Sequence, residues 1–417
     1  MLRSLLSAVL IFRSLVLHAE PLSHSINALG CSLLQALPER SGNQLLSPYS
    51  VHSALSMTAA GAQGKTRSEM LTVLGGTEET LHPDHEKLRA DLEEIETRCA
   101  RISTDSGQNQ EPGPTLLRVA NRLFAEKTYS FLPEFLALTE ARYRAPLEAL
   151  SFQGDPEAAR KVINAWVEKQ TLSKIQDLLG PSDITTDTSL ILVNALYFRA
   201  PWQEPFQEAA TGLEPFHLAG GTVEKVPTMV TTKSMGYQKF PGVNRVPFEA
   251  VSIPYVSGML QFLVLIPEGS SSIPALESQL SAAVLESCAR LPRRPVTLHL
   301  PKLHLAPPTL SLSEALKSLG MSSAFDAPPL SADFGRMHMP SEKRLIVGNV
   351  LHKTFLDLDE KGTEAAAATA VTMMKATSIL GRQEEPVLVR VDRPFLFAIQ
   401  HVGSGTCLFL GRVQNPK

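Results

Sequence analysis

Charge of one sign, paired cysteines, repeats and long apolar runs are all scarce in this chain, and each shortage removes a class of function. Lysine and arginine number 39 against 42 acidic residues, a net charge of −3. Nothing global therefore draws the protein to nucleic acid or to an acidic surface. The four cysteines (Cys31, Cys99, Cys288 and Cys407) show neither close pairing nor metal-ligand spacing, so buried free thiols are expected, with one disulfide left open in an oxidising compartment. Gly-x-Ser-x-Gly and His-Glu-x-x-His patterns are missing, and no enzyme, cofactor or metal site is expected. No repeat and no long Gly/Ser or Pro linker divides the sequence. With 43% hydrophobic and 19% charged residues, a single domain over 20–417 can bury a large core.

What is present begins with a leader-like end. Met1-Leu2-Arg3 precedes an apolar run from Leu5 to Leu17 and then His18-Ala19-Glu20. This reads as a signal peptide over 1–19 cleaved after Ala19, and as a secreted, extracellular protein. The run is too short to span a bilayer. No Asn-x-Ser/Thr acceptor accompanies it.

Several motifs mislead. Ala59 to Thr66 loosely matches a phosphate loop, but the spacing before it is helical, whereas such a loop must follow a strand. Asp333-Phe334-Gly335 lacks the other kinase signatures. His82 and His85 are placed on a Pro-containing loop and read as a surface pair rather than a metal site. Arg101 to Pro114 reads as a surface insertion after a charged helix from Glu86 to Arg98. Arg290, Arg293 and Arg294 form a small basic cluster that reads first as a solvated loop.

The most informative stretch is Glu360 to Thr369, Glu-Lys-Gly-Thr-Glu-Ala-Ala-Ala-Ala-Thr. Before it, His352, Thr354, Leu356 and Leu358 alternate with Lys353, Asp357 and Asp359, as in a half-buried strand. Its alanines suit an exposed helix. They equally suit a strand in waiting. Thr363, Ala365, Ala367, Thr369, Val371 and Met373 would then share one small or apolar face, with Glu364 on the other and Gly362 as pivot.

Glu360–Thr369 resembles the hinge of the serpin reactive-centre loop, and Val389 to Phe397 resembles the serpin C-terminal signature. Leu46 to Ser50 is similar to the start of the family's helix B, Asn164 to Thr171 to helix F and its exit, and Leu192 to Phe198 with Trp202 to the central strand of its main sheet. The landmarks run in family order from about residue 25 to the end. The resemblance implies an α+β serpin fold: helices packed on a large mixed sheet (sheet A), two smaller sheets, and an exposed reactive-centre loop over about 360–390. It implies a serine-type endopeptidase inhibitor acting as a suicide substrate, by loop cleavage and insertion into sheet A, with a covalent acyl complex. The alternative is a non-inhibitory carrier or chaperone.

By the same resemblance the hinge comprises Glu360, Gly362, Thr363, Glu364, Ala365, Ala366, Ala367 and Ala368. Ser47, Ser50, Asn194 and His352 form the shutter, and Trp202 belongs to the breach. Read alone, these are capped or satisfied buried polar groups and plain core. Counting along the loop places the reactive bond at Ala376–Thr377, with Lys375–Ala376 as alternative and Arg382 as a third choice, since Thr377 to Pro386 looks longer than in most relatives. A monomer with a target serine protease as partner, and no nucleic acid or membrane, is expected. Glycosaminoglycan binding is weakly supported, because the helix that carries such a site in several relatives holds Glu86, Asp91, Glu93, Glu94 and Glu96.

Overall fold

The computed structural model describes residues 21–37, 42–105, 115–241, 245–269, 273–340, 344–363 and 384–417. Residues 1–19, the hinge positions Glu364 to Ala368, the bait positions Lys375, Ala376 and Thr377, and Arg382 lie outside the described residues.

Two sheets organise the chain, with strands numbered along the sequence. The seven-stranded sheet runs β10 (Leu303–Leu305), β12 (Val347–Leu358), β13 (Gly362–Thr363), β4 (Leu190–Pro201), β2 (Leu116–Glu126) and β3 (Glu148–Leu150), with β11 (Leu310–Ser311) on β12. It is mixed: β4 is parallel to β12 and antiparallel to β2. The nine-stranded sheet runs β1 (Gln44–Leu46), β16 (Thr406–Val413), β15 (Phe395–His401), β8 (Leu260–Pro267), β7 (Phe248–Pro254), β6 (Val223–Phe240), β9 (Arg293–Pro301) and β14 (Val387–Arg390), with β5 (Gly212–His217) on β6. The two smaller sheets expected beside the mixed sheet are continuous with one another. The 18-residue β6 pairs with β5 and β9 over most of its length and with β7 at its end.

Sequence pattern explains the layers. β15 and β16 are buried throughout, as strands covered on both faces require, and read as near-continuous apolar runs. β12 keeps the expected alternation, with His352, Thr354, Leu356 and Leu358 buried and Lys353 and Asp357 partly exposed. Helix α1 (Leu22–Ala36) packs against β16 and α2 (Pro48–Gly61). Every residue of α2 is buried. Its Ser, Ala, Thr and Gly side chains let it lie between the two sheets, touching β2, β4 and β16, which an amphipathic surface helix could not do. Ser47 caps it, its hydroxyl accepting from Ser50 N. Helix α3 (Gly64–Leu74) follows α2 after a two-residue turn, so the phosphate-loop lookalike has a helix before it and no strand.

Helix α4 (Glu78–Asp105) is longer than the charged segment expected and contains Pro83. It corrects the reading of His82 and His85 as a surface pair. Both are helical, and they are 6% and 2% exposed. Helices α5 (Pro133–Tyr143) and α6 (Pro156–Gln170) complete this side. Asp155 caps α6 by accepting from Ala158 N at 2.9 Å. Ala159, Ile163 and Val167, spaced by four, bury one stripe of α6 against Ala120, Phe124, Ile191, Val193 and Ala195 of the seven-stranded sheet. All four cysteines are buried, and Cys31, Cys288 and Cys407 are free thiols. Burial pushes the Cys31 and Cys288 thiols up to about 12, well away from the thiolate needed for reactivity.

Candidate functional site

The site is the seam between β4 and β12. These strands pair directly in parallel from Leu190 opposite Val347 to Tyr197 opposite Phe355. Beyond that point they part, and β13 lies between them. Thr363 faces Ala200 on one side and Leu358 on the other, antiparallel to both. A two-residue wedge thus occupies the fork, and the seam below it is closed.

A tight turn delivers the wedge. The Asp359 carboxylate accepts from Lys361 N at 2.8 Å and Gly362 N at 3.2 Å, and Asp359 N donates to Gly362 O at 2.9 Å. Burial raises the Asp359 carboxyl above its ordinary value, opposed by those two N–H groups. Gly362 is required for more than a pivot. Its φ is +152°, and a Cβ there would lie 2.2 Å from Ala200 O and 2.7 Å from Pro201 Cα, so a larger residue would collide with the backbone of β4. Glu360 is 5% exposed. Burial works to raise its pKa, but hydrogen bonds from Lys302 Nζ (2.8 Å) and Thr211 Oγ1 (2.7 Å) outweigh it and hold the carboxyl below its ordinary value.

Trp202 backs the fork. Its indole N–H donates to Asp359 O at 2.9 Å, and its backbone N–H donates to Lys361 O at 2.9 Å. The ring stacks on Tyr255, centroids 4.6 Å apart and planes 9° from parallel. Tyr255 Oη in turn shares a 2.6 Å hydrogen bond with Thr363 Oγ1. Both Tyr255 and Thr363 are fully buried, so the small hydroxyl of Thr363 is matched to a polar partner.

Lower on the seam, Asn194 and His352 are direct register partners across β4 and β12. Ser47 N donates to His352 Nε2 at 2.9 Å, so His352 carries its proton on Nδ1 and donates it to Asn194 Oδ1. The Asn194 amide donates to Ser50 Oγ at 2.7 Å and Asn121 Oδ1 at 2.6 Å. Ser50 Oγ donates to Asn121 Oδ1 at 2.7 Å, and Asn121 Nδ2 to Ser50 O at 3.0 Å. Burial lowers the His352 pKa to about 4. The ring is therefore neutral near pH 7, which its acceptor role demands.

The structure brings together Ser47, Ser50, Asn194 and His352 as one network, and Glu360, Gly362, Thr363 and Trp202 as another. Sequence reading missed Asn121, Tyr255, Lys302 and Thr211. For Asn121 a signal existed, since an amide shares the face of β2 that carries buried Leu123 and Ala125.

Comparison with known proteins agrees with this geometry. The profile described as Serpin (serine protease inhibitor) matches residues 24–416. Leukocyte elastase inhibitor of Equus caballus is 35% identical over 407 residues, covering 95% of this chain and 100% of that protein. Serpin B8 of Bos taurus is 35% identical over 378 residues, covering 90% and 93%. The crystal structure of native protease nexin-1 with heparin superposes with a TM-score of 0.80 at 25% identity, covering 95% of this chain and 100% of that one. These relatives overturn the expectation of a secreted, extracellular protein. Leukocyte elastase inhibitor and serpin B8 are intracellular, clade B serpins, and they give no support to a secretory reading of residues 1–19.

Proposed function

The chain belongs to the serpin family, and from that premise we propose how its seam serves a serine-protease inhibitor that acts as a suicide substrate. Members of this family inhibit proteases and are not themselves catalysts. Loop cleavage and insertion are the family's general mechanism. The observation that carries the reading is the wedge of Gly362 and Thr363 already antiparallel to both β4 and β12.

The protease serine attacks the carbonyl of the bait residue. The peptide C–N bond breaks, the new amine takes a proton from the protease and leaves, and the bait residue remains as an ester on the enzyme. The released hinge then continues from Thr363 down the seam. In that register Met373 comes to lie opposite Leu190, where β4 begins, and Thr369 opposite Asn194. Thr363, Ala365, Ala367, Thr369, Val371 and Met373 enter on the face of Asn194, and Glu364 lies opposite Arg199. One parallel ladder is exchanged for two antiparallel ones, each slightly stronger per residue. The exchange must break the His352–Asn194 hydrogen bond, which makes the shutter the latch on the seam.

Our reading places the reactive bond at Ala376–Thr377, beyond the end of the inserted strand, with Lys375–Ala376 as alternative. The small Ala376 side chain suits the shallow pocket of an elastase-type enzyme, and the similar leukocyte elastase inhibitors support that class. The partner is one protease molecule per inhibitor monomer. Heparin accompanies the protease nexin-1 structure, but here Arg293 is bonded to Ser234 O and α4 carries the carboxylates already named, so we assign no glycosaminoglycan partner. Incubation with elastase or trypsin, followed by boiling in detergent, tests the reading. A complex that survives is expected. Cleavage without a complex would support the carrier or chaperone alternative.

A further inference from the structure

Three buried histidines meet where α4 and α5 pack on α2. His52 belongs to α2, and His82 and His85 belong to α4. Their rings form one chain of contacts with Tyr143, the last residue of α5. The His52 and His85 centroids are 5.0 Å apart, His85 and Tyr143 5.5 Å, and His82 and Tyr143 5.8 Å. Hydrogen bonds fix the protons. His52 Nε2 is 3.0 Å from the Leu74 carbonyl oxygen at the end of α3, which can only accept, so this nitrogen carries the hydrogen. His85 Nε2 lies 2.8 Å from His52 Nδ1. In the neutral pair His85 therefore donates and His52 Nδ1 accepts. His82 Nδ1 shares a 2.6 Å hydrogen bond with the Tyr143 hydroxyl. The His52–His85 pair has room for one extra proton, on His85 Nδ1, an atom buried without a hydrogen-bond partner. A second proton would set N–H against N–H at the 2.8 Å contact.

The charges around the rings do not favour an imidazolium. On α4, Glu86 pairs with Arg142 of α5, and Glu93 pairs with Arg89 and with Arg144 just past α5. Glu78 at the start of α4 pairs with Arg67 of α3 and with Arg336, and Glu96 pairs with Arg118 of β2. These carboxylates are spent on arginines, and among the described residues the three rings bond to one another, Leu74 O and hydroxyl groups. Burial raises the Tyr49 and Tyr143 phenols, so they stay neutral beside the rings. Burial lowers His52 to about 4. It lowers His82 to about 4 as well, helped by Arg142, Arg336 and Arg67. His85 is lowered well below its ordinary value by burial, with His52 and His82 adding to it. Between the two α4 histidines stands Pro83, which has no N–H and removes one bond from the helix ladder at this point.

We propose that this imidazole junction is an acid-sensitive fastening, which holds α4 and α5 on α2 near neutral pH and releases them as the solution turns acidic. In the closed form the His52 and His82 rings stay uncharged down to about pH 4. Once opened to water, each takes up a proton below the ordinary 6.5. Opening therefore binds protons, and the closure the rings provide, fully present above pH 6.5, is lost as pH falls toward 4. Each histidine multiplies the opening constant roughly 20-fold between pH 7 and pH 5. His52 follows Ser50 by two residues on α2, so release also slackens the helix that carries Ser47 and Ser50 of the latch.

The test is hydrogen–deuterium exchange of the whole protein at pH 7, 6 and 5, with each rate corrected for intrinsic exchange. Helix α6 has no histidine and is the reference. Protection of α4 should fall at least roughly 20-fold more than that of α6 between pH 7 and pH 5. Two variants sharpen the result. His85→Gln keeps an N–H for His52 Nδ1, and His82→Asn keeps an acceptor for Tyr143, but neither side chain titrates. Each should remove a factor of roughly 20 from the pH dependence at α4. If a variant does not fold, the comparison of α4 with α6 in the unmodified protein still decides. Protection of α4 that merely follows α6 from pH 7 to pH 5 would overturn the proposal. So would folded variants that keep the full pH dependence.

Discussion

Along the seam between β4 and β12, the end at Ala200 and Pro201 is already parted by Gly362 and Thr363, whereas at Asn194 and His352 the strands remain joined side chain to side chain. Both places are fully buried, and both are satisfied by hydrogen bonds. They differ in what the bonds connect. At the fork, Tyr255, Trp202 and Lys302 bond to the incoming segment itself, so they favour its entry. At the latch, the side chains of His352, Asn194, Ser50 and Asn121 bond, among the described residues, to one another and to the backbone of Ser47 and Ser50, so they favour the closed seam. The same chemistry starts a strand in one place and stops it in the other. A satisfied buried network resists partial disruption, because leaving one member unpaired costs more than the pair contributes.

The comparison breaks most sharply at Thr363. Arginine there would place a charge in a fully buried site opposite Tyr255, and an unpaired buried charge is costly enough to bar entry. The Thr363→Arg variant should be cleaved by its protease without forming a detergent-stable complex on a denaturing gel. Full trapping by this variant would show that the fork is not where insertion begins.

At the latch, Asn194→Ala leaves His352 Nδ1–H, Ser50 and Asn121 short of a partner. The first unfolding transition in urea should fall by about 2–3 kcal/mol. An unchanged midpoint would mean that the seam is held by its backbone ladder alone. Acid probes the same bond more gently. The folded pKa of His352, about 4, lies below the ordinary 6.5. The unfolded chain thus binds more protons in this window, and stability present above pH 6.5 is lost as pH falls toward 4. Between pH 7 and pH 5 the contribution of His352 alone is about 2 kcal/mol, read as the pH slope removed by His352→Gln. The smallest effect belongs to the rim of the fork. Lys302→Gln keeps the backbone turn and loses one partly exposed ion pair to Glu360. Its urea midpoint should correspond to a change of about 1 kcal/mol or less.

Much of this was legible in the sequence, for definite reasons. The alternation from His352 to Leu358 predicted β12, and Asn194 and His352 stood out as polar groups inside strongly apolar strands. Ser47 before Pro48 read as a helix start, and it caps α2. Partners brought in by the fold were not legible. Tyr255 meets Thr363 across 108 residues, and Thr211 meets Glu360 across 149, distances over which no local pattern operates. His82 and His85 were misread because Pro83 suggested a loop. Pro83 is instead held within α4, whose inner face is buried through Leu81, Leu88 and Leu92, so tertiary packing overrides the local penalty. The apolar run from Leu5 to Leu17 suggested secretion, a reading that the relatives contradict and that hydropathy alone could not check.

The central claim is that the closed seam is a metastable substitute for a sheet completed by the loop. The direct measurement is a thermal melt of the intact protein beside the same protein nicked by elastase at Ala376–Thr377, with mass spectrometry to verify the cut. Insertion adds a strand bonded on both sides, which the native form lacks along the β4–β12 seam from Leu190 to Tyr197. The midpoint should rise by on the order of 10 °C or more after nicking. A midpoint that stays the same after complete cleavage would contradict the account, because the hinge would then have been freed without entering the seam.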